Sequence, residues 1–131
     1  GTLSGNPVAV AAGIATLTQL KNQPPYARLA KLTEKLATGL NALAWKAPWD
    51  FHCAWQGSVF TPYFAKGPMT CLADVKRCDA QRYAAYFHGM LNEGIYLPPS
   101  QYELGFVSAA HSDADIDAFL AAAGRVIAGL K

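Results

Sequence analysis

Phe51-His52-Cys53-Ala54-Trp55-Gln56-Gly57-Ser58-Val59-Phe60-Thr61-Pro62-Tyr63-Phe64-Ala65 is the stretch on which the fold turns. Aromatic and β-branched residues stand on both sides of Gln56-Gly57, the composition of two strands joined by a tight turn. The strands are expected over Phe51 to Trp55 and Ser58 to Ala65. Pro62 has no N–H to offer a ladder, which predicts that the second strand lies at a sheet edge or is bulged there. The preceding segment has a different period. From Tyr26 to Lys46, Leu29, Leu32, Leu36, Leu40 and Leu43 recur at steps of three and four, with Lys31, Glu34 and Lys35 off the stripe. That is a one-sided helix laid on a sheet.

Downstream, Lys66-Gly67-Pro68 reads as a turn, followed by a short helix over Leu72 to Lys76. A longer helix runs from its cap Asp79 to Glu93, with Tyr83, Phe87 and Met90 or Leu91 inward and Gly94 at the stop. Ile95-Tyr96-Leu97 reads as a third strand and Gly105 to Ala109 as a fourth, joined by a loop dense in prolines and polar groups. Ser112-Asp113-Ala114-Asp115 is a capping box with Asp in place of Glu. It opens a last helix whose buried stripe is Ile116, Phe119, Leu120, Ala123 and Ile127. Upstream, Asn6 is a good N-cap and Pro7 suits a first helical position because that N–H has no partner to lose. This first helix runs to about Lys21, stops before Gln23-Pro24-Pro25, and is small and apolar nearly all round, the pattern of a helix buried on several sides. Together these readings predict a two-layer α+β fold: a small, mainly antiparallel sheet with helices on one face, preceded by a long connecting helix. The division falls between residues 1–24, a loop and connecting helix, and residues 25–131, the α+β domain.

Composition narrows the function. At 131 residues the chain is one ordinary domain, and 52% apolar with 15% charged residues excludes disorder and points to surface meant to be covered. A net charge of +2, with basic residues scattered, gives no case for nucleic acid. No signal peptide or membrane-spanning run is read, and Cys53, Cys71 and Cys78, without metal-like spacing, suit a reducing compartment, so a cytoplasmic location is expected.

The residues themselves offer few chemical sites. A helix start with free N–H groups and with Thr2 and Ser4 nearby suits an anion such as phosphate. Glu103, in a proline-flanked loop beside Tyr102 and Ser100, reads as a solvated or capping carboxylate on spacing alone. His52, His88 and His111 show no paired spacing and read as core or capping residues rather than ligands or bases. Asp113, Asp115 and Asp117 favour a helix start and need no cation.

Gly1-Thr2-Leu3-Ser4-Gly5-Asn6-Pro7 resembles the segment that class III, pyridoxal-phosphate-dependent aminotransferases carry after their Schiff-base lysine. Phe87-His88-Gly89-Met90-Leu91, then Gly94-Ile95-Tyr96-Leu97-Pro98-Pro99-Ser100-Gln101-Tyr102-Glu103, then Gly105-Phe106-Val107-Ser108-Ala109-Ala110-His111 resemble later blocks of that family, in order along the whole chain. The block ending at Glu103 is specific to the branch that exchanges amino groups within one substrate, a small amino aldehyde. The resemblance implies the C-terminal small domain of a fold-type I enzyme that works as a homodimer with pyridoxal 5'-phosphate. The first helix would link this domain to a large cofactor domain. Gly1 and Thr2 would contact the phosphate of the cofactor bound in the partner subunit, and Glu103, at the active-site entrance, would hold an ammonium group. Ser100 and Gln101 would shape that loop, and Leu104 stands where a smaller residue is expected.

The same resemblance puts the Schiff-base lysine, and the aspartate that keeps the pyridine nitrogen protonated, before Gly1. Lys21, Lys31 and Lys46 do not match that lysine. No catalytic residue and no metal ligand is therefore expected within these residues, and the chain alone is expected neither to hold the cofactor tightly nor to turn over. Separated from a large domain, the first helix is expected to bury its apolar face against another copy. Two other readings compete. One is a family member acting on an ω-amino acid, which would want an arginine for a second carboxylate, whereas Arg28, Arg77, Arg82 and Arg125 all fall in helical segments. The other is a non-catalytic α+β interaction module docking through its first helix.

Overall fold

A computed structural model describes Gly1 and residues 3–130. Its elements are α1 (Pro7–Asn22), α2 (Tyr26–Ala44), β1 (His52–Gln56), β2 (Val59–Tyr63), α3 (Leu72–Val75), α4 (Ala80–Asn92), β3 (Gly105–Phe106) and α5 (Asp113–Gly129). The three strands form one antiparallel sheet in the order β1-β2-β3. Gln56 pairs with Val59 across Gly57-Ser58. Gly57, at φ +57°, supplies the left-handed residue that a two-residue hairpin needs to match strand twist.

The expected edge position of β2 is overturned, because β2 is the central strand. The neighbours explain why Pro62 is tolerated there. Cys53, opposite Pro62, gives its backbone N–H to Asn41 Oδ1 at 2.8 Å, and its carbonyl accepts from Asn41 Nδ2 at 3.1 Å. Cys53 and Pro62 therefore form a non-hydrogen-bonded pair, and the missing N–H of Pro62 faces the β3 side. There the ladder covers only Val59 and Phe60, so the proline removes no bond.

The expected third strand is absent. Gly94 N donates to Leu91 O and Ile95 N to Met90 O, at 3.0 and 2.9 Å, with Gly94 at φ +82°. This double closure of α4 commits the backbone at Ile95 to the helix end rather than to a ladder. The expected fourth strand shrinks to Gly105–Phe106, continued by one bond from Val107 N to Ser58 O at 2.8 Å.

Helices cover one sheet face. The stripe of α2 buries Leu29, Leu32, Leu36 and Leu40, while Leu43 is left 38% exposed. These leucines join Phe60, Tyr83, Tyr86, Met90 and Phe119 in one core cluster. Each buried leucine contributes roughly 1.5–3 kcal/mol over leaving it in water. Phe60 and Phe119 meet edge to face at 6.0 Å, and Phe64 is 5.6 Å from Tyr86. On α4 the inward residues are Tyr83, Tyr86 and Met90, with Phe87 half-buried against the core and Leu91 exposed. The capping box of α5 forms as expected: Ser112 Oγ accepts from Asp115 N at 3.3 Å, and Asp115 Oδ2 accepts from Ser112 N at 2.7 Å.

Helix α1 begins as expected, capped by Asn6 with Pro7 in its first turn, but buries none of its residues. Val8, Ile14 and Leu17 are 78%, 62% and 68% exposed. Among the described residues no helix is long and apolar enough to cross a membrane.

Candidate functional site

A cleft of about 640 Å³ opens between the segment that follows α4, strand β3 and the start of α5. Leu36, Phe60 and Phe119 form its apolar floor, and among the described residues its polar lining side chains are Tyr96, Glu103, His111 and Asp115, with no lysine or arginine. Two carboxylates facing an apolar floor, with no balancing cation, favour a ligand that carries an ammonium group over one that carries a phosphate.

Glu103 lies where the proline-rich loop turns back towards the sheet. Its backbone N–H donates to Ser100 O at 3.1 Å, and Ser100 Oγ accepts from Tyr102 N at 3.2 Å. Ser100 thus turns the loop, and Gln101, only 4% exposed, tucks beneath it. Leu104 is 50% exposed at the rim, so its size disturbs no packing among the described residues. Asp115 sits at the opposite wall with its carboxyl below the usual carboxylate range, chiefly because the Ser112 N–H bonds it. His111 Nδ1 accepts from Ser108 N at 2.9 Å, so a neutral ring carries its proton on Nε2. Arg28 anchors this wall by donating to Ala109 O and His111 O at 3.2 and 2.6 Å.

The sequence reading singled out Glu103 but missed that His111 and Asp115 line the same cleft. Asp115 had a complete local explanation as a cap, which hid its second position. The capping-box register does place it one turn before Phe119, which forms part of the cleft floor, and this was the available signal. His52 lies on β1 and His88 on α4, outside the cleft. Among the described residues no three His, Cys, Asp or Glu side chains stand close enough to hold a metal ion. All four arginines have partners within the chain: Arg77 pairs with Asp74, Arg82 with Asp79 and Arg125 with Glu93, besides Arg28.

Thr2 lies outside the described residues. To either side of it, Ser4 N donates to Gly1 O at 3.1 Å, and a Cβ on Gly1 would meet the Ser4 hydroxyl, which would have to turn aside. The expectation of free N–H groups at the helix start is corrected. Asn6 Oδ1 accepts from both Val8 N and Ala9 N, at 3.0 and 3.2 Å. What remains to meet an anion is the hydroxyl-bearing turn, and residues 1–22 contain no carboxylate to repel it. A phosphate group fits that turn chemically.

No family model matches the chain. It is 47% identical over 130 residues to a glutamate-1-semialdehyde 2,1-aminomutase from Rhodopirellula baltica, covering 99% of the chain and 30% of the relative. It is 50% identical over 128 residues to one from Laribacter hongkongensis, covering 98% and 30%. Among solved structures, an omega-transaminase from Sphaerobacter thermophilus superposes with a TM-score of 0.80 at 25% identity, over 98% of the chain and 29% of that protein. A β-phenylalanine aminotransferase from Variovorax paradoxus gives 0.70 at 31% identity, over 78% and 23%. The chain thus has the fold of part of the transaminases and is similar, along almost all of its own length, to glutamate-1-semialdehyde 2,1-aminomutases, of whose length it spans about 30%.

Proposed function

We propose that this chain is the C-terminal small domain of a pyridoxal-phosphate-dependent isomerase that converts glutamate-1-semialdehyde into 5-aminolevulinate by internal exchange of an amino group, a step towards tetrapyrroles. The observation that carries the reading is the identity of 46–50% to aminomutases over nearly every residue of the chain. When bound, pyridoxal 5'-phosphate supplies the electron sink through which an amine is moved. Gly1 and Thr2 hold its phosphate in the partner subunit of a cytoplasmic homodimer, residues 1–24 serve as the connecting arm, and residues 25–131 form the small domain. The lysine that joins the cofactor belongs to the part of the relatives' length that this chain does not span.

The work left to this chain is binding and enclosure. Glu103 holds an ammonium group of the substrate at the entrance, helped by the second carboxylate, Asp115, in the cleft lining. The domain closes over the reacting groups, keeps water out and retains the substrate between the two halves of the exchange. The ω-amino acid reading is less well supported. It wants an arginine free for a second carboxylate, while the four arginines here all have partners in the chain and none lines the cleft.

Glu103→Gln in the full-length polypeptide tests the assignment. Losing a charge-assisted contact of about 1.5–3 kcal/mol is expected to raise KM for the semialdehyde roughly ten- to hundredfold. Unchanged turnover and affinity would remove Glu103 from the site.

A further inference from the structure

The loop from Pro98 to Leu104 belongs to neither a helix nor the sheet, so something else must fix where Glu103 points. Pro98 and Pro99 lack N–H groups, which leaves the loop's first half with carbonyls as its chief means of attachment. We propose that Tyr83 is a positioning residue for Glu103: its hydroxyl, projecting from α4, tethers the base of the loop through Pro98, while Thr61 of β2 secures the far end.

The geometry supplies both tethers. Tyr83 OH donates to Pro98 O at 2.7 Å, a short bond from a ring that is only 3% exposed. Thr61 Oγ1 donates to Glu103 O at 3.4 Å, a longer and weaker bond from a side chain that is also 3% exposed. One hydroxyl thus comes from the helical layer and one from the sheet, and the glutamate sits where the second attaches. Burial, with the Glu103 carboxylate nearby, pushes the Tyr83 phenol up to about 12, so it remains a donor at neutral pH. Tyr86, three residues along the same helix, provides an internal control. Its hydroxyl is buried and has no hydrogen-bond partner. The two tyrosines fill the same core, and one of them also holds the loop.

This inference rests on the assignment of Glu103 to the site, so the experiment separates the two. Hydrogen exchange across residues 100–104 and steady-state kinetics with glutamate-1-semialdehyde are measured on the full-length, cofactor-loaded polypeptide. Tyr83→Phe keeps the ring and is expected to speed exchange in the loop about five- to tenfold, in line with one lost hydrogen bond. It is expected to raise KM by a similar factor with kcat unchanged, the mark of lost substrate binding. Thr61→Val should move the same amides by less, with Thr61→Ser restoring them, and Tyr86→Phe should move neither quantity. Within a Glu103→Gln background, Tyr83→Phe should raise KM no further. Unchanged exchange in Tyr83→Phe, or the same rise in KM whether or not Glu103 is present, would overturn the proposal. A kinetically silent Glu103→Gln alongside a loosened loop also overturns it, and marks the failure as that of the site assignment rather than of the tether.

Discussion

Helices α1 and α2 are separated by three residues and are both rich in apolar side chains, yet they behave as opposites. In α2 the leucines fall on one stripe, and Leu32, Leu36 and Leu40 are no more than 3% exposed. In α1 the apolar residues point in every direction: Val10, Ile14 and Leu17 on one side, Val8, Ala12 and Ala15 on the other. None is buried within the chain. The difference teaches that a stripe is satisfied by one partner, which the small domain itself supplies, whereas an all-round apolar helix needs cover from several sides. Under the proposed function that cover comes from the remainder of the longer polypeptide and its homodimer partner.

The contrast is most open to attack by truncating side chains in the two helices. Leu40→Ala opens a cavity beneath a fully buried residue and is expected to cost about 2–5 kcal/mol in urea unfolding. Ile14→Ala in the same chain is expected to change stability by no more than about 0.5 kcal/mol. A loss at Ile14 rivalling that at Leu40, in dilute monomeric chain, would break the comparison.

Thiol labelling sharpens it. Cys53 is fully buried on β1, and burial pushes its thiol up to about 12, so alkylation must await unfolding. Cys71 is exposed and is expected to react at once. Deleting residues 1–22 should leave Cys53 as well protected as before; a Cys53 that became reactive would show that α1 supports the core after all.

The smallest expected effect is a pH dependence at the exposed cap of α5. Asp115 is held below the usual carboxylate range by Ser112, so its contribution to stability is complete above the unfolded-state pKa of about 4 and is lost as pH falls through the lower folded value. Asp115→Asn should therefore lower the melting temperature at pH 7, and the gap to the parent should narrow below about pH 4. A gap that stayed constant into acid would mean that the charge of Asp115 plays no part in the cap.

What could be read in the sequence was what local chemistry determines. Asn6-Pro7, the Ser112–Asp115 box, the α2 stripe and the hairpin at Gly57 each depend on residues a few positions apart, and each is found. What could not be read depends on neighbours distant in the chain. Ile95-Tyr96-Leu97 has the composition of a strand, but the α4 terminus takes the backbone of Ile95. Pro62 looked like an edge residue until Asn41 was seen to occupy the outer side of Cys53. The site was half legible for the same reason. The loop motif brought Glu103 forward, while the presence of Asp115 and His111 in its cleft depends on how α5 packs.

The central claim is that these residues bind and enclose a reaction whose covalent partner lies elsewhere. Its most direct test is 5-aminolevulinate formation from glutamate-1-semialdehyde, with added pyridoxal 5'-phosphate, by the full-length polypeptide and by this chain alone. The account predicts product from the first and none from the second; turnover by the isolated chain would contradict it.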